Sequence, residues 1–199
     1  MPNAGVVAAG YYAQRSPTTL KSLPEIDLVA GIADNFVLVS MVVERIGETS
    51  GPREPGEEPG PAIVRTRAMV KIQEGCNQVC AFCIVPKVRG RERSVPPDDI
   101  IGRIDGYVAS GYREVVLTGT QLGSYGFDLP DIDLRGLLSR VLSETGIARL
   151  RVSSLQPQEI EPRLLGLWAD PRLCPHFHIP LQSGSDAVLK RMKERGITG

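Results

Sequence analysis

The sequence predicts an α/β protein: a small parallel strand–helix–strand piece, then an open or incomplete barrel of parallel strands covered by helices. Three observations carry this reading. From residue 67 onward short apolar runs alternate with amphipathic stretches, as βαβ units require. Residues 48–61 hold four Pro, three Gly and several charges, which build neither a core nor a helix and so divide the chain. The remaining length admits about four such units, whereas a closed eight-stranded barrel takes about 250 residues. The expected organisation is a first domain at residues 1–47, a linker at 48–61 and the barrel part at 62–199.

The elements follow in order. Residues 4–9 are apolar and stop at Gly10, as a buried strand does. Ser16 and Pro17 suit the cap and first turn of a short helix. Residues 27–31 read as a second strand, and 36–43 form a further apolar run. Beyond the linker, 67–72 is a strand that runs into a Cys-rich loop. Residues 97–110 form a helix with Ile100, Ile101, Ile104 and Val108 on one face, Asp98 and Asp99 in its first turn, and Gly111 past its end. A strand at 114–118 ends at Gly119. A helix at 133–145 carries Leu134, Leu137, Leu138 and Val141 on its face. Then come a strand at 150–154, a helix at 162–168, a strand at 176–181, and a last helix from about Asp186 with Val188, Leu189 and Met192. No segment repeats at a period of about 20–50 residues.

Composition excludes several classes of function. Hydrophobic residues make up 42% and charged residues 23%, ordinary for a soluble globular chain. Lys plus Arg is 23 and Asp plus Glu is 23, so the formal net charge is zero. That excludes a chain built only to coat nucleic acid and leaves room for a local basic stripe. No apolar run approaches the roughly 20 residues of a membrane helix. Residues 1–5 place no basic flank before an apolar run, so no secretory signal is expected and the chain reads as cytoplasmic.

The strongest chemical signal is Cys76, Cys80 and Cys83, three of the four cysteines, spaced C-x3-C-x2-C on one loop. Clustered thiols of this kind point to a metal or redox site rather than a disulfide framework. Zinc sites need four ligands and usually draw on two separated pairs; the spare soft ligands here, Cys174, His176 and His178, lie far down the chain. A 4Fe–4S cluster accepts three thiolates from one loop and leaves one iron open. The residues favour the cluster and keep zinc as the alternative.

The spacing is that of the radical S-adenosylmethionine (radical SAM) enzymes. The stretch from Lys71 through Cys76, and from Val88 to Ser94, closely resembles the methylthiotransferase family. Residues 117–126 and 180–186 support the resemblance, the first looking most like the branch acting on N6-threonylcarbamoyladenosine in tRNA. The resemblance implies a partial (β/α) radical SAM barrel preceded by a remnant of the family's small parallel domain. It implies S-adenosylmethionine on the open iron, with Phe82 packed against its adenine. The implied activity is replacement of hydrogen by a methylthio group on carbon 2 of that adenosine, next to the anticodon. A tRNA substrate and an electron donor such as flavodoxin or ferredoxin are the implied partners, with no membrane.

In such a barrel, alternate strand residues face helices or lumen. Leu150, Val152, Phe177, Ile179 and Leu181 are expected against helices; Arg151, Ser153, His176, His178 and Gln182 are expected inward. Thr118, Gly119, Gln121, Ser153, Ser154 and Gln182 stand at the strands' C-terminal ends, where barrel active sites lie, and are candidate cofactor contacts. Each serves equally as a loop cap, and His178 reads as structural. Lys87, Arg89, Arg91 and Arg93 form a basic run suited to tRNA phosphate or the cofactor carboxylate, or to a solvated loop with Glu92 as partner.

One departure stands out. The family's first domain holds a second 4Fe–4S cluster, and one of its ligands is a Cys in a Gly-Cys-Tyr-Ala-Gln stretch. Here the stretch reads Gly10-Tyr11-Tyr12-Ala13-Gln14, placing a phenol where the thiol belongs. The chain reads as shortened at both ends relative to the family. A truncated or degenerate relative, binding one cluster without completing sulfur transfer, is therefore an alternative, and a zinc-binding module is another.

Overall fold

The computed structural model describes residues 5–32, 37–46 and 66–193. The expected linker and Phe36 lie outside them. The chain divides into two compact units: residues 1–62 with 87–89, and residues 63–86 with 90–199.

In the first unit, β1 (Val7–Ala9) pairs in parallel with β2 (Leu28–Ala30), in the register Ala8 to Val29. The crossover between them is α1 (Tyr11–Arg15) and α2 (Pro17–Lys21), with Pro17 opening α2 as its fixed φ favours. The Asp27 carboxylate accepts from Val6 N–H at 2.7 Å, fixing the strand start. The apolar run after β2 is a helix, α3 (Leu38–Ile46).

The second unit is built on three parallel strands in the order β3 (Arg67–Lys71), β6 (Glu114–Thr118), β7 (Arg149–Val152), with β6 central. Register follows the side-chain pattern. Ala68, Val115 and Leu150 share one row, and Val70, Leu117 and Val152 share the next but one; all six are buried. They meet α5 (Pro97–Ala109) through Ile100 and Ile104, and α6 (Leu134–Glu144) through Leu137, Leu138 and Val141. Truncating any one of these leucines to alanine costs about 2–5 kcal/mol. The Asp133 carboxylate caps α6 by accepting from Gly136 N–H at 2.7 Å, and Arg172 closes its other end by donating to the Leu142 carbonyl at 2.6 Å. These elements match the expected fold class.

Three features differ from the sequence reading. A short antiparallel pair, β4 (Gln73–Glu74) with β5 (Arg93–Ser94), joined through α4 (Val85–Val88), stands beside the parallel sheet. Two residues per strand are too few to show a periodicity. The expected strand at 176–181 does not form. Among the described residues, only the isolated bridges Leu150 to Leu173 and Ser154 to His178 continue the sheet past β7. Pro175 directly precedes the segment and Pro180 interrupts it, and neither supplies an N–H to a ladder. Phe177 still packs on the core, 4.5 Å from the Trp168 ring, but Ile179 and Leu181 are exposed rather than covered by helices. The expected helix at 162–168 divides into α7 (Pro162–Leu165) and a 3-10 turn (Gly166–Ala169). The last helix is α8 (Asp186–Met192), with Leu189 buried.

The sheet face away from α5 and α6 carries charge. The Glu114 carboxylate pairs with Arg67 at 2.8 Å, Arg151 at 3.1 Å and Arg149 at 3.6 Å. Burial alone would raise the Glu114 pKa; the Arg151 hydrogen bond and the three guanidinium charges outweigh it and hold the carboxyl below its ordinary 4.5. A folded value below the unfolded one stabilises fully above pH 4.5, and that contribution is lost as pH falls through the folded value. The melting temperature of the native chain should therefore fall more steeply below that pH than that of Glu114→Gln. Parallel acid limbs in the two proteins would show that this carboxylate is not coupled to folding.

Candidate functional site

The thiol loop leaves the C-terminal edge of the sheet through β4. Its entry depends on Gly75, whose φ is +78° and whose absent Cβ would lie 2.0 Å from the Arg91 carbonyl oxygen. The conformation and the close approach both require glycine. Cys76 N–H donates to the Gly90 carbonyl at 3.2 Å, and Ala81 N–H to the Met192 carbonyl at 2.8 Å, so the segment leading into β5 and the end of α8 hold the loop. A turn closes with Cys83 N–H donating to the Cys80 carbonyl at 3.2 Å. Cys76 is buried, with its Sγ accepting from Gln78 N–H at 3.4 Å; Cys80 and Cys83 are half-buried. Phe82 is exposed.

Glu92 does not partner the basic run. It is buried and turned to Asn77, accepting from its N–H at 3.1 Å and its Nδ2 at 3.3 Å. Arg91 and Arg93 are exposed. In the first unit, Arg89 Nε donates to Tyr11 Oη at 2.6 Å, with the guanidinium 5.1 Å from the Tyr11 ring centroid.

Among the described residues, no group of three His, Cys, Asp or Glu side chains is drawn close enough to hold a metal ion, so the three thiols share a loop without being gathered as ligands. The donor set itself suits an iron–sulfur cluster: three soft thiols from one loop, anchored on both sides, at the edge of a parallel sheet.

Beside the loop is a cleft of about 730 Å³ whose walls include Asn77, Gln78, Glu92, Gln121, Phe127 and Glu159. One wall is a hydrogen-bonded set. The buried Gln121 donates through Nε2 to Glu159 Oε1 and accepts at Oε1 from Gln156 Nε2 at 2.9 Å. The other Glu159 oxygen accepts from Gln156 N–H at 2.8 Å, completing a capping box on the 3-10 turn Pro157–Glu159. Carboxylates and carboxamides on one surface suit a ligand bearing amino and hydroxyl groups.

Of the seven candidate cofactor contacts, Gln121 lines this cleft. Thr118 ends β6, with Oγ1 donating to the Val70 carbonyl at 3.4 Å. At Gly119, a Cβ would sit 3.0 Å from the Gln73 carbonyl, so the backbone turns there without a side chain. Ser153 N–H donates to the Leu117 carbonyl at 3.1 Å. Ser154 Oγ lies 2.5 Å from His178 Nδ1, tying the bridged segment to the end of β7. Gln182 and Phe82 are exposed and line no part of this cleft. Cys174 is buried beside β7, its N–H donating to the Leu150 carbonyl at 2.9 Å and its Sγ 3.7 Å from Arg149 Nη2. The sequence reading passed over Gln73, Asn77, Gln156 and Glu159. The Asn between the first two thiols and the Gln-to-Glu spacing of a capping box were the signals on offer.

Comparison with known proteins identifies the family. Residues 70–199 match the family model of the Radical SAM superfamily. The chain is 36% identical to the threonylcarbamoyladenosine tRNA methylthiotransferase MtaB of Bacillus subtilis, over 98% of this chain and 46% of that protein. It is 40% identical to the tRNA-2-methylthio-N(6)-dimethylallyladenosine synthase of Syntrophobacter fumaroxidans, over 97% of this chain and 45% of that protein. The chain thus spans about half the length of the curated relatives it matches. Among solved structures, the radical S-adenosylmethionine methyltransferase TsrM of Kitasatospora setae superposes with a TM-score of 0.51 at 16% identity, over 66% of this chain and 25% of that one, a likeness of fold.

The loop geometry makes a paired prediction. Gly75→Ala, blocked by the Arg91 carbonyl, should abolish iron uptake on anaerobic reconstitution. Gly90→Ala has a φ of +77° but open space around the added carbon, so it should cost only about 1 kcal/mol and keep its iron. Iron assay and thermal melts of both proteins check this; equal iron in the two would contradict the role given to Gly75.

Proposed function

Because the chain belongs to the radical SAM superfamily, we propose that it is the cluster- and cofactor-binding part of a tRNA methylthiotransferase acting on carbon 2 of N6-threonylcarbamoyladenosine next to the anticodon. The observation that carries this is the placement of three thiols on one anchored loop, at the C-terminal edge of a parallel sheet and beside a polar cleft. Relatives named for threonylcarbamoyladenosine and for dimethylallyladenosine both match. The segment 117–126 favours the first nucleoside.

Cys76, Cys80 and Cys83 hold one 4Fe–4S cluster and leave one iron open. When bound, the reduced cluster supplies the electron that cleaves S-adenosylmethionine and so provides the radical chemistry at the C–H bond. Everything else falls to the chain. Gly75 turns the loop so that Cys76 is buried while Cys80 and Cys83 stay accessible. Gln121 presents its carboxamide to the cofactor, held in orientation by Glu159 and Gln156. Phe82, Thr118, Gly119, Ser153, Ser154 and Gln182 remain proposed cofactor contacts outside that cleft, with Phe82 against the adenine. The apolar side chains behind the sheet keep water from that edge. The exposed Arg91 and Arg93 meet tRNA phosphate. A flavodoxin or ferredoxin supplies the electron, and the reaction runs in the cytoplasm.

Tyr11, on the exposed side of α1 in the first unit, offers a phenol where the family uses a thiol, and it is engaged with Arg89. A phenol is a poor cluster ligand. We therefore expect reconstitution to load about four irons per chain rather than about eight. Eight would show that the first unit assembles a second cluster, and Tyr11→Cys alone should not change the count.

The direct test is anaerobic reconstitution of Cys80→Ala and Cys174→Ala. Cys80→Ala should lose both the electron paramagnetic resonance signal of the reduced cluster and the release of 5′-deoxyadenosine. Cys174→Ala, remote from the thiol loop along the chain, should keep both. Signal and cleavage surviving in Cys80→Ala would refute the ligand set. Mass spectrometry of nucleosides from unmodified tRNA, incubated with the native chain, reads whether a methylthio product forms.

A further inference from the structure

The thiol loop and the loop bearing Gln121 share one buried side chain. Gln73 in β4 is wholly buried. Its Nε2 donates to the Gly75 carbonyl at 3.0 Å and the Glu74 carbonyl at 3.2 Å. Its Oε1 accepts from Thr120 N–H at 2.9 Å and Gln121 N–H at 2.8 Å. All four hydrogen-bonding positions of the carboxamide are used. The orientation of the amide is fixed by its partners, since backbone N–H groups only donate and carbonyls only accept. The backbones are also close, because the Gln73 carbonyl stands against Gly119 with no room for a side chain.

We propose that Gln73 is a positioning residue that locks the entrance of the thiol loop to the backbone of Gln121, so that the set of the thiols and the orientation of the Gln121–Glu159 wall are coupled. The role deepens the function proposed above and rests on it. Gly75 immediately precedes Cys76, so a displacement of the first thiol pulls on the carboxamide. The same carboxamide fixes Thr120 and Gln121, and Gln121 carries the side chain that reaches Glu159. Any aliphatic side chain of equal length takes this partner from two N–H groups and two carbonyls in the interior. A carboxylate keeps the acceptor and loses the donor, so Gln73→Glu and Gln73→Met separate the two halves of the lock.

The test begins on the iron-free full chain, by amide hydrogen exchange read residue by residue. Gln73→Met should speed exchange at Thr120 and Gln121 about tenfold while Val115, Val116 and Leu117 keep their protection. Gln73→Glu should hold Thr120 and Gln121 within about twofold of the native rates. In the reconstituted protein, both variants should keep native iron content and raise the KM for S-adenosylmethionine more than they lower kcat. Three results would overturn the proposal: unchanged exchange at Thr120 and Gln121 in Gln73→Met, loss spread evenly over β3, β6 and β7, or equal loss in the two variants. A native chain that binds no iron would instead overturn the proposed function, leaving the exchange result to stand by itself.

Discussion

The parallel register of β6 with its two neighbours is the constraint on which the rest depends. Lys71 lies against Thr118, and Leu117 against Val152, so the three strands end together. The loops that follow all leave from that one edge: the thiol loop, the turn from Gly119 to Ser124, and the turn from Ser153 to Glu159. A slip of one residue would turn the buried row of Val70, Leu117 and Val152 outward and expose it to solvent. The apolar face packed on α5 and α6 therefore fixes where the candidate site lies, although none of its residues lines it.

At that edge, small polar devices set the geometry. Gly75 gives the chain its turn, the Gln73 carboxamide joins two loops, Asn77 and Glu92 brace each other, and Glu159 orients Gln121. Gln73, Asn77, Glu92, Gln121 and Glu159 are buried or half-buried polar groups with partners met inside the protein, and such networks hold a site rigid in a way that apolar packing does not. The thiols then need only a loop that is anchored at both ends. The opposite end of the same sheet is held by a different device, the Glu114 carboxylate among three guanidinium groups.

Much of the barrel part was legible in the sequence because its signals are periodic. Ile100, Ile101 and Ile104 mark a helix face, and the run Glu114 to Thr118 marks a buried strand; both stand where the pattern put them. The thiol spacing pointed to the radical SAM enzymes, whose family model matches residues 70–199. The failures share a cause. Phe177, Ile179 and Leu181 alternate like a strand, but alternation carries no information about a proline's missing N–H group, and the segment meets the end of β7 through the single bridge Ser154 to His178. Glu92 sits between arginines in sequence, yet the hairpin turns it to Asn77. Gln73 and Glu159 are single polar residues with partners about 48 and 38 positions away, and no local pattern announces a long-range hydrogen bond.

The central claim is that three thiolates from one loop leave a single iron open for the cofactor. Electron–nuclear double resonance on the reduced, reconstituted chain tests it most directly, using S-adenosylmethionine labelled with nitrogen-15 in its amino group. The account predicts a hyperfine coupling from that nitrogen to a 4Fe–4S cluster. A cluster without such coupling, or a metal centre of zinc in place of iron, would contradict it.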